Sequence, residues 1–343
     1  MHSAAANNPH LPLPQHVPLA VATRGGVAES IHFGSVVATG PGGNILLQAG
    51  DPLAPFYPRS ALKPLQAVAM VRAGLDLPED LLALSAASHS GAAIHRDGAR
   101  RILELHGLTP DDMENSTDLP YGVAEREDWL RQGGTATALT QNCSGKHAAM
   151  AATCQINGWP VAGYLHPEHP LQHLVATTVQ ELTGEMPAAS TTDGCGTPLF
   201  ALTLRGMATA FGAIAQAAAG EPGESGASGA EAAVGRAMQR HPHMVAGERR
   251  DVTALMRQLP TVVAKDGFEG VQLVGLPDGR AVAVKISDGG DRARMPVAVR
   301  VMEALGVDTS RLDDIASSVV LGGGRPVGSF HAIAFPLTAA TIS

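Results

Sequence analysis

The chain has 343 residues, 45% of them apolar, 16% charged and only 3% aromatic, with a formal net charge of −8. This composition excludes a disordered protein, and an acidic balance without a long basic run excludes nucleic acid as a partner. The length suffices for one large domain or two ordinary ones, with a core that needs no covalent staples.

Gly, Thr or Arg interrupts every apolar stretch before it reaches the length of a membrane span, so no membrane partner is expected. Residues 1–16, rich in His, Pro, Ala and Asn, have no charged segment followed by an apolar one and read as a flexible tail rather than a signal peptide. Cys143, Cys154 and Cys195 are an odd count in a large chain, which points to a reducing compartment and a cytoplasmic protein.

Val17–Ala22, Ile31–Ala38 and Asn44–Gln48 are short β-prone runs separated by the turn sequences Arg24-Gly25-Gly26 and Gly40-Pro41-Gly42-Gly43. A proline-rich loop, 51–58, leads to Pro58-Arg59-Ser60-Ala61-Leu62-Lys63-Pro64. A proline is tolerated in the first helical turn, so Pro64 sets a helix start near Ser60 or Ala61, and Leu65, Val68, Ala69 and Leu75 continue its apolar face. Residues three apart share a helix face, which puts the Ser60 hydroxyl within reach of the Lys63 amine. A lysine desolvated among apolar groups can be the base that such a serine needs; the alternative is a helix-capping serine beside a solvated lysine.

Short helices are expected to open at Leu77-Pro78-Glu79-Asp80, to run over Ile94–Leu105 and to start from Thr109. Between the first two lies Ser88-His89-Ser90-Gly91, either a turn presenting a hydroxyl or a helix cap. Gln141-Asn142-Cys143-Ser144-Gly145-Lys146-His147 precedes an apolar helix, 148–156, and Leu171–Leu182 forms the next one. His166, His169 and His173 only superficially have metal-ligand spacing, because prolines separate them and no helical Glu accompanies them. Thr192-Asp193-Gly194-Cys195-Gly196 is a tight turn before a helix expected over Leu199–Phe211. Residues 219–230 read as a low-complexity surface loop, followed by a helix over 231–240 and another over Val252–Leu259. Strands return at 262–267, 270–275 and 280–286, then a long helix over Arg294–Leu305 and a short one near 312–318.

Strands, a helical middle and strands again imply an α/β (α+β) architecture with one antiparallel sheet built from both chain ends. The expected division is 17–75 with 250–343 as a discontinuous sheet-containing part, and 76–249 as a mostly helical part.

The Ser-x-x-Lys helix, a later serine turn and Lys265-Asp266-Gly267 on a strand resemble the serine β-lactamase and penicillin-binding-protein arrangement. That arrangement has Ser-Asp-Asn and Lys-Thr-Gly where this chain has Ser88-His89-Ser90 and Lys265-Asp266-Gly267, so penicillin chemistry is not expected. A closer resemblance is to the rhizobial-type (class 3) L-asparaginase, or asparaginase II, family. It rests on Arg59-Ser60-Ala61-Leu62-Lys63-Pro64, Ala87-Ser88-His89-Ser90, Asn142-Cys143-Ser144-Gly145-Lys146-His147, Thr192-Asp193-Gly194-Cys195, and Arg240-His241-Pro242 with Val245-Ala246-Gly247.

The resemblance implies hydrolysis of L-asparagine to L-aspartate and ammonia by a homodimer with a β-lactamase- and glutaminase-like fold. It implies two Ser–Lys pairs, Ser60 with Lys63 and Ser88 with Lys265. It also implies a zinc site on Cys143, Lys146 and Cys195 near the substrate, with Asp193 helping to hold that substrate. His89 and Gly247 enter as candidate substrate-binding positions from the family motifs. Spacing alone favours two buried free thiols at Cys143 and Cys195, since no Cys-x-x-Cys is present. On chemical grounds Asp193 suits an α-ammonium, and Arg59 or Arg240 an α-carboxylate. The rival readings are a glutaminase or another acyl hydrolase of this fold, a Cys143 nucleophile, and a non-catalytic amino-acid-binding protein.

Overall fold

A computed structural model describes residues 13–220 and 227–339. The chain opens with β1 (Val17–Arg24), β2 (Val27–Thr39) and β3 (Ile45–Ala49). A 3-10 turn, Arg59–Leu62, runs directly into α1 (Lys63–Arg72), with Pro64 in the first turn where its missing N–H costs nothing. The middle of the chain contains α2 (Glu79–Ser85), α3 (Ala93–Leu105), α4 (Val123–Arg131), α5 (Ser144–Ile156) and α6 (Pro170–Thr183). A small hairpin of β4 (Ala189–Thr192) and β5 (Pro198–Ala201) follows, then α7 (Leu204–Ala219), α8 (Ala227–Arg240), α9 (Pro242–Val245) and α10 (Asp251–Gln258). The C-terminal part supplies β6 (Val263–Gly267), β7 (Val271–Gly275), β8 (Ala281–Ile286), α11 (Asp291–Ala304), α12 (Asp313–Ala316), β9 (Ser317–Gly322), β10 (Arg325–Ala332) and β11 (Thr338–Ala339).

The main sheet runs β6-β7-β8-β2-β1-β10-β9, with β3 beside β2 and β11 beside β3, and every pairing is antiparallel. It is therefore built from both chain ends, as the order of elements implies. β6 and β7 are buried at every residue, which requires cover on both faces; α7 and α11 both pack on this part of the sheet. One apolar cluster extends from Leu19 to Phe335 and includes Leu65, Met70, Phe211 and Val274.

Several local expectations differ from what forms. Leu199–Phe211 is not one helix: Pro198–Ala201 pairs as β5, and α7 starts only after Thr203, whose hydroxyl caps it by accepting from the Gly206 N–H. α4 has no buried residue, so no apolar stripe marks it. The β9–β10 hairpin was not anticipated, and α8 begins at Ala227, inside the stretch expected to be a loop. Residues 221–226 of that stretch, and 1–12 of the expected tail, lie outside the described residues.

One close approach places the site. A Cβ on Gly267 of β6 would stand 2.3 Å from the Pro58 carbonyl oxygen and 3.3 Å from the Ala61 nitrogen. A glycine here lets the strand lie directly against the turn that carries Ser60.

Candidate active site

Ser60 and Lys63 lie one tight turn apart, and both are buried, with 5% and 3% of their surface exposed. The Lys63 Nζ donates to the Ser88 Oγ at 2.8 Å. The backbone of the Ser88 turn is pinned from two sides. The Ser88 and Ser90 N–H groups donate to the Val245 and Ala246 carbonyls at 2.9 and 2.8 Å, and the His89 N–H donates to the Asn142 carbonyl at 2.9 Å. Lys265, fully buried on β6, donates to Asp266 Oδ1 at 2.6 Å and to the Asp266 carbonyl at 2.8 Å. The hydrogen bonds thus join Lys63 to Ser88 and Lys265 to Asp266, rather than each lysine to the serine expected from the sequence. A carboxylate next in the chain is a stronger partner for Lys265 than a hydroxyl, and the Lys63 stem is long enough to cross to the Ser88 turn. Among the described residues the Ser60 hydroxyl has no hydrogen-bond partner.

Two cavities meet at Ser60. One, of about 190 Å³, is lined by Arg59, Lys63, Cys143, Asp193 and Cys195. The other, of about 130 Å³, is lined by Ser88, Arg250, Asp266, Gly267, Glu269 and Asp291. Ser60, Tyr121, Asn142 and Phe268 belong to both. Tyr121 and Phe268 meet edge to face with centroids 5.5 Å apart, Arg250 lying over the tyrosine and Arg59 over the phenylalanine. Arg59 also pairs with Asp193 at 2.7 Å, and Arg250 with Asp266 at 2.5 Å. Arg59 (φ 51) and Glu269 (φ 66) are the non-glycine positions with left-handed backbone among the described residues, and both line the site.

Burial sets the electrostatics. It lowers the Lys63 pKa from the ordinary lysine value, with Lys146 adding repulsion against the opposing pull of Cys143. It brings Lys265 down to about 8, Lys63 adding to the effect while Asp266 opposes it. For Asp266 burial works the other way, but Lys265, Arg250 and Arg294 outweigh it and hold the carboxyl below the usual range.

A second buried cluster lies at the wall of the larger cavity. Sulfur and nitrogen donor atoms of Cys143, His147 and Cys195 fall within 4.8 Å of one another, and the Lys146 Nζ is 3.2 Å from the Cys195 Sγ. His147 Nδ1 hydrogen-bonds the Tyr164 hydroxyl at 2.8 Å, which leaves Nε2 for the cluster. Two thiols with two nitrogens suit a zinc ion in donor type and number. His147 carries no metal role in the expected set of Cys143, Lys146 and Cys195; its place beside the two sulfurs depends on α5 meeting the 193–197 turn. Burial pushes the Cys143 thiol up, and its hydrogen bond to Cys195 adds to this, which disfavours Cys143 as a nucleophile. Cys154 is buried in the apolar cluster and its thiol is pushed up to about 12 by burial.

Other expected residues stand elsewhere. Arg240 is exposed and pairs with Glu79, lining neither cavity. His89 is buried behind the site, stacked on His95 at 4.8 Å and hydrogen-bonded to Ser144 at 2.9 Å. A Cβ on Gly247 would meet the Ser90 Oγ at 2.6 Å, so this glycine backs the Ser88 turn. Tyr121, Arg250 and Glu269 were not singled out from the sequence; polar or aromatic residues in loops carry no periodic signal.

A family model described as L-asparaginase II matches residues 20–332. No curated protein matches the chain. Among solved structures, a beta-lactamase from Mycobacterium bovis is 14% identical, with 80% of this chain and 95% of that chain covered and a TM-score of 0.36. At so low a score the fold rests on its own strand order.

Proposed function

The chain belongs to the L-asparaginase II family, and from this premise we propose that it hydrolyses L-asparagine to L-aspartate and ammonia with Ser60 as the acyl nucleophile. The observation that carries the reading is the meeting of a buried Ser60 hydroxyl, unpartnered among the described residues, with the Lys63–Ser88 hydrogen bond at the junction of two cavities. The Arg59–Asp193 pair in the larger cavity complements an α-amino-acid zwitterion, with the ammonium toward Asp193 and the carboxylate toward the guanidinium. An amino acid held there extends its side-chain amide toward Ser60.

A carboxamide is a poor acyl donor, so the reaction needs a base, an oxyanion stabiliser and an acid for the leaving nitrogen. Lys63, whose pKa burial lowers, accepts the Ser60 proton directly or through Ser88. The Ser60 N–H, at the start of a 3-10 turn, is the donor this reading assigns to the developing oxyanion. The proton returns to the nitrogen as the C–N bond breaks. Water then adds to the ester with the same Ser88–Lys63 pair as base, and Ser60 leaves with a proton. Lys265 and Arg250 hold Asp266 in the wall of the smaller cavity.

Cys143 and Cys195 with Lys146 or His147 are the residues that would hold zinc, which when bound supplies Lewis acidity and positive charge at the substrate end of the site. A cytoplasmic homodimer belongs to the same reading by family likeness.

Ammonia release from L-asparagine by the protein and by Ser60→Ala tests this, with L-glutamine in parallel. The variant should lose at least about a thousandfold in kcat, and glutamine, one methylene longer, should react more slowly. A protein that prefers glutamine, or a Ser60→Ala variant with full activity, contradicts the reading.

A further inference from the structure

The smaller cavity is larger than the proposed reaction needs. If the amino-acid end of asparagine occupies the Arg59–Asp193 side, the amide nitrogen points past Ser60 into the opposite cavity. Ammonia is about the size of water, and one such molecule needs only about 10–15 Å³. The cavity offers about 130 Å³.

Its charges are unevenly committed. Asp266 is held by Lys265 and Arg250, and Asp291 accepts from the Arg294 Nε at 2.6 Å. The Glu269 carboxylate has no hydrogen bond or ion pair among the described residues. The nearby Lys285 amine is spent on the backbone carbonyls of Glu269 and Ile286, at 2.5 and 2.8 Å. Glu269 Oε2 sits where a Cβ on Gly289 would come within 2.4 Å, so the absence of a side chain at Gly289 gives the carboxylate its place beside the cavity. Ser60, buried and without a partner among the described residues, supplies the reacting hydroxyl to the same space.

Resting on the asparaginase reading, we propose that this cavity receives a substituent on the scissile amide nitrogen, with Glu269 as a specificity-determining carboxylate for a short cationic chain. The substrate class is β-amides of L-aspartate whose nitrogen carries an aminoalkyl group. Ser60 adds to the β-carbonyl, the C–N bond breaks and the amine departs with the proton that Ser60 gave up. Water then cleaves the ester, so amide plus water gives aspartate plus a free amine.

The test compares N4-(2-aminoethyl)-L-asparagine with the near-isosteric N4-propyl-L-asparagine, with L-asparagine as the reference. Aspartate is the common product measured. The protein should favour the aminoethyl over the propyl substrate about fivefold in kcat/KM, mainly through KM, as befits one partly exposed ion pair. Glu269→Gln should bring the ratio to about one, and Glu269→Lys should reverse it. The ratio is insensitive to a general loss of activity or of folded protein. Turnover of L-asparagine with both substituted amides refused, or a ratio that the variants leave unchanged, overturns this proposal alone. No turnover of any of the three overturns it together with the asparaginase reading.

Discussion

At the scale of single residues, the catalytic proposal depends on a neutral Lys63 amine. Lys265 is brought down to about 8 by burial, and Lys63 is lowered for the same reason. The neutral Lys63 amine exists above its pKa, so kcat/KM should fall about tenfold per pH unit as pH drops below that lowered pKa and level off above it. A pH–rate profile of the protein checks this, and Lys63→Met should lose at least about a hundredfold in kcat with no such limb; a flat profile, or a variant with full activity, contradicts Lys63 as the base. The sulfur cluster makes a separate prediction. Metal analysis should find about one zinc per chain, and close to none in Cys143→Ser or Cys195→Ser, while His147→Ala and Lys146→Met reveal which nitrogen completes the set. Compact local motifs pointed to Ser60, Lys63 and Ser88, and the family resemblance to Cys143, Lys146, Asp193 and Cys195; all seven line or adjoin the two cavities, which is as much of their roles as the structure places. The direction of a long side chain was not legible: that Lys63 reaches Ser88, or that Lys265 turns to Asp266, is decided by how α1, the Ser88 turn and β6 pack together.

At the scale of elements, the site exists because β6 lies directly against the turn before α1. Gly267→Ala puts a methyl group 2.3 Å from the Pro58 carbonyl, and backbone on both sides cannot yield as a side-chain end would. The expected cost is about 1–3 kcal/mol of stability, with a disproportionate fall in kcat because Ser60 is displaced. Thermal melting and steady-state kinetics on the same sample separate the two effects. Strong patterns were legible here: the apolar runs of β6, β7 and β8, and Pro64 just inside its helix. The missed elements lack such a pattern. α4 buries none of its residues, β4 is exposed throughout, and most of β9 is polar or exposed on an outer edge of the sheet. In β9–β10 the Gly323-Gly324 pair is the one local turn signal.

At the scale of the whole molecule, the sheet is closed by strands more than 300 residues apart. β1 lies between β2 and β10, with Ala20 opposite Ala332 and Ala22 opposite Phe330. Deleting residues 317–343 would bare the β1 edge and part of the face under α11, whose contacts include β10. The truncated chain should aggregate or elute as a heterogeneous species by size exclusion; a monodisperse, fully active product would mean that the hairpin is an appendage. The two-ended sheet was legible from the order of strands and helices. The position of the β9–β10 hairpin was not, because long-range pairing leaves no local trace.

The most direct test of the central claim is to quench the protein during turnover of L-asparagine and locate any covalent adduct by peptide mass mapping. The expected result is an aspartyl ester on the peptide containing Ser60, absent in Ser60→Ala. An adduct on Ser88 or Cys143 with Ser60 unmodified would contradict the assignment of the nucleophile.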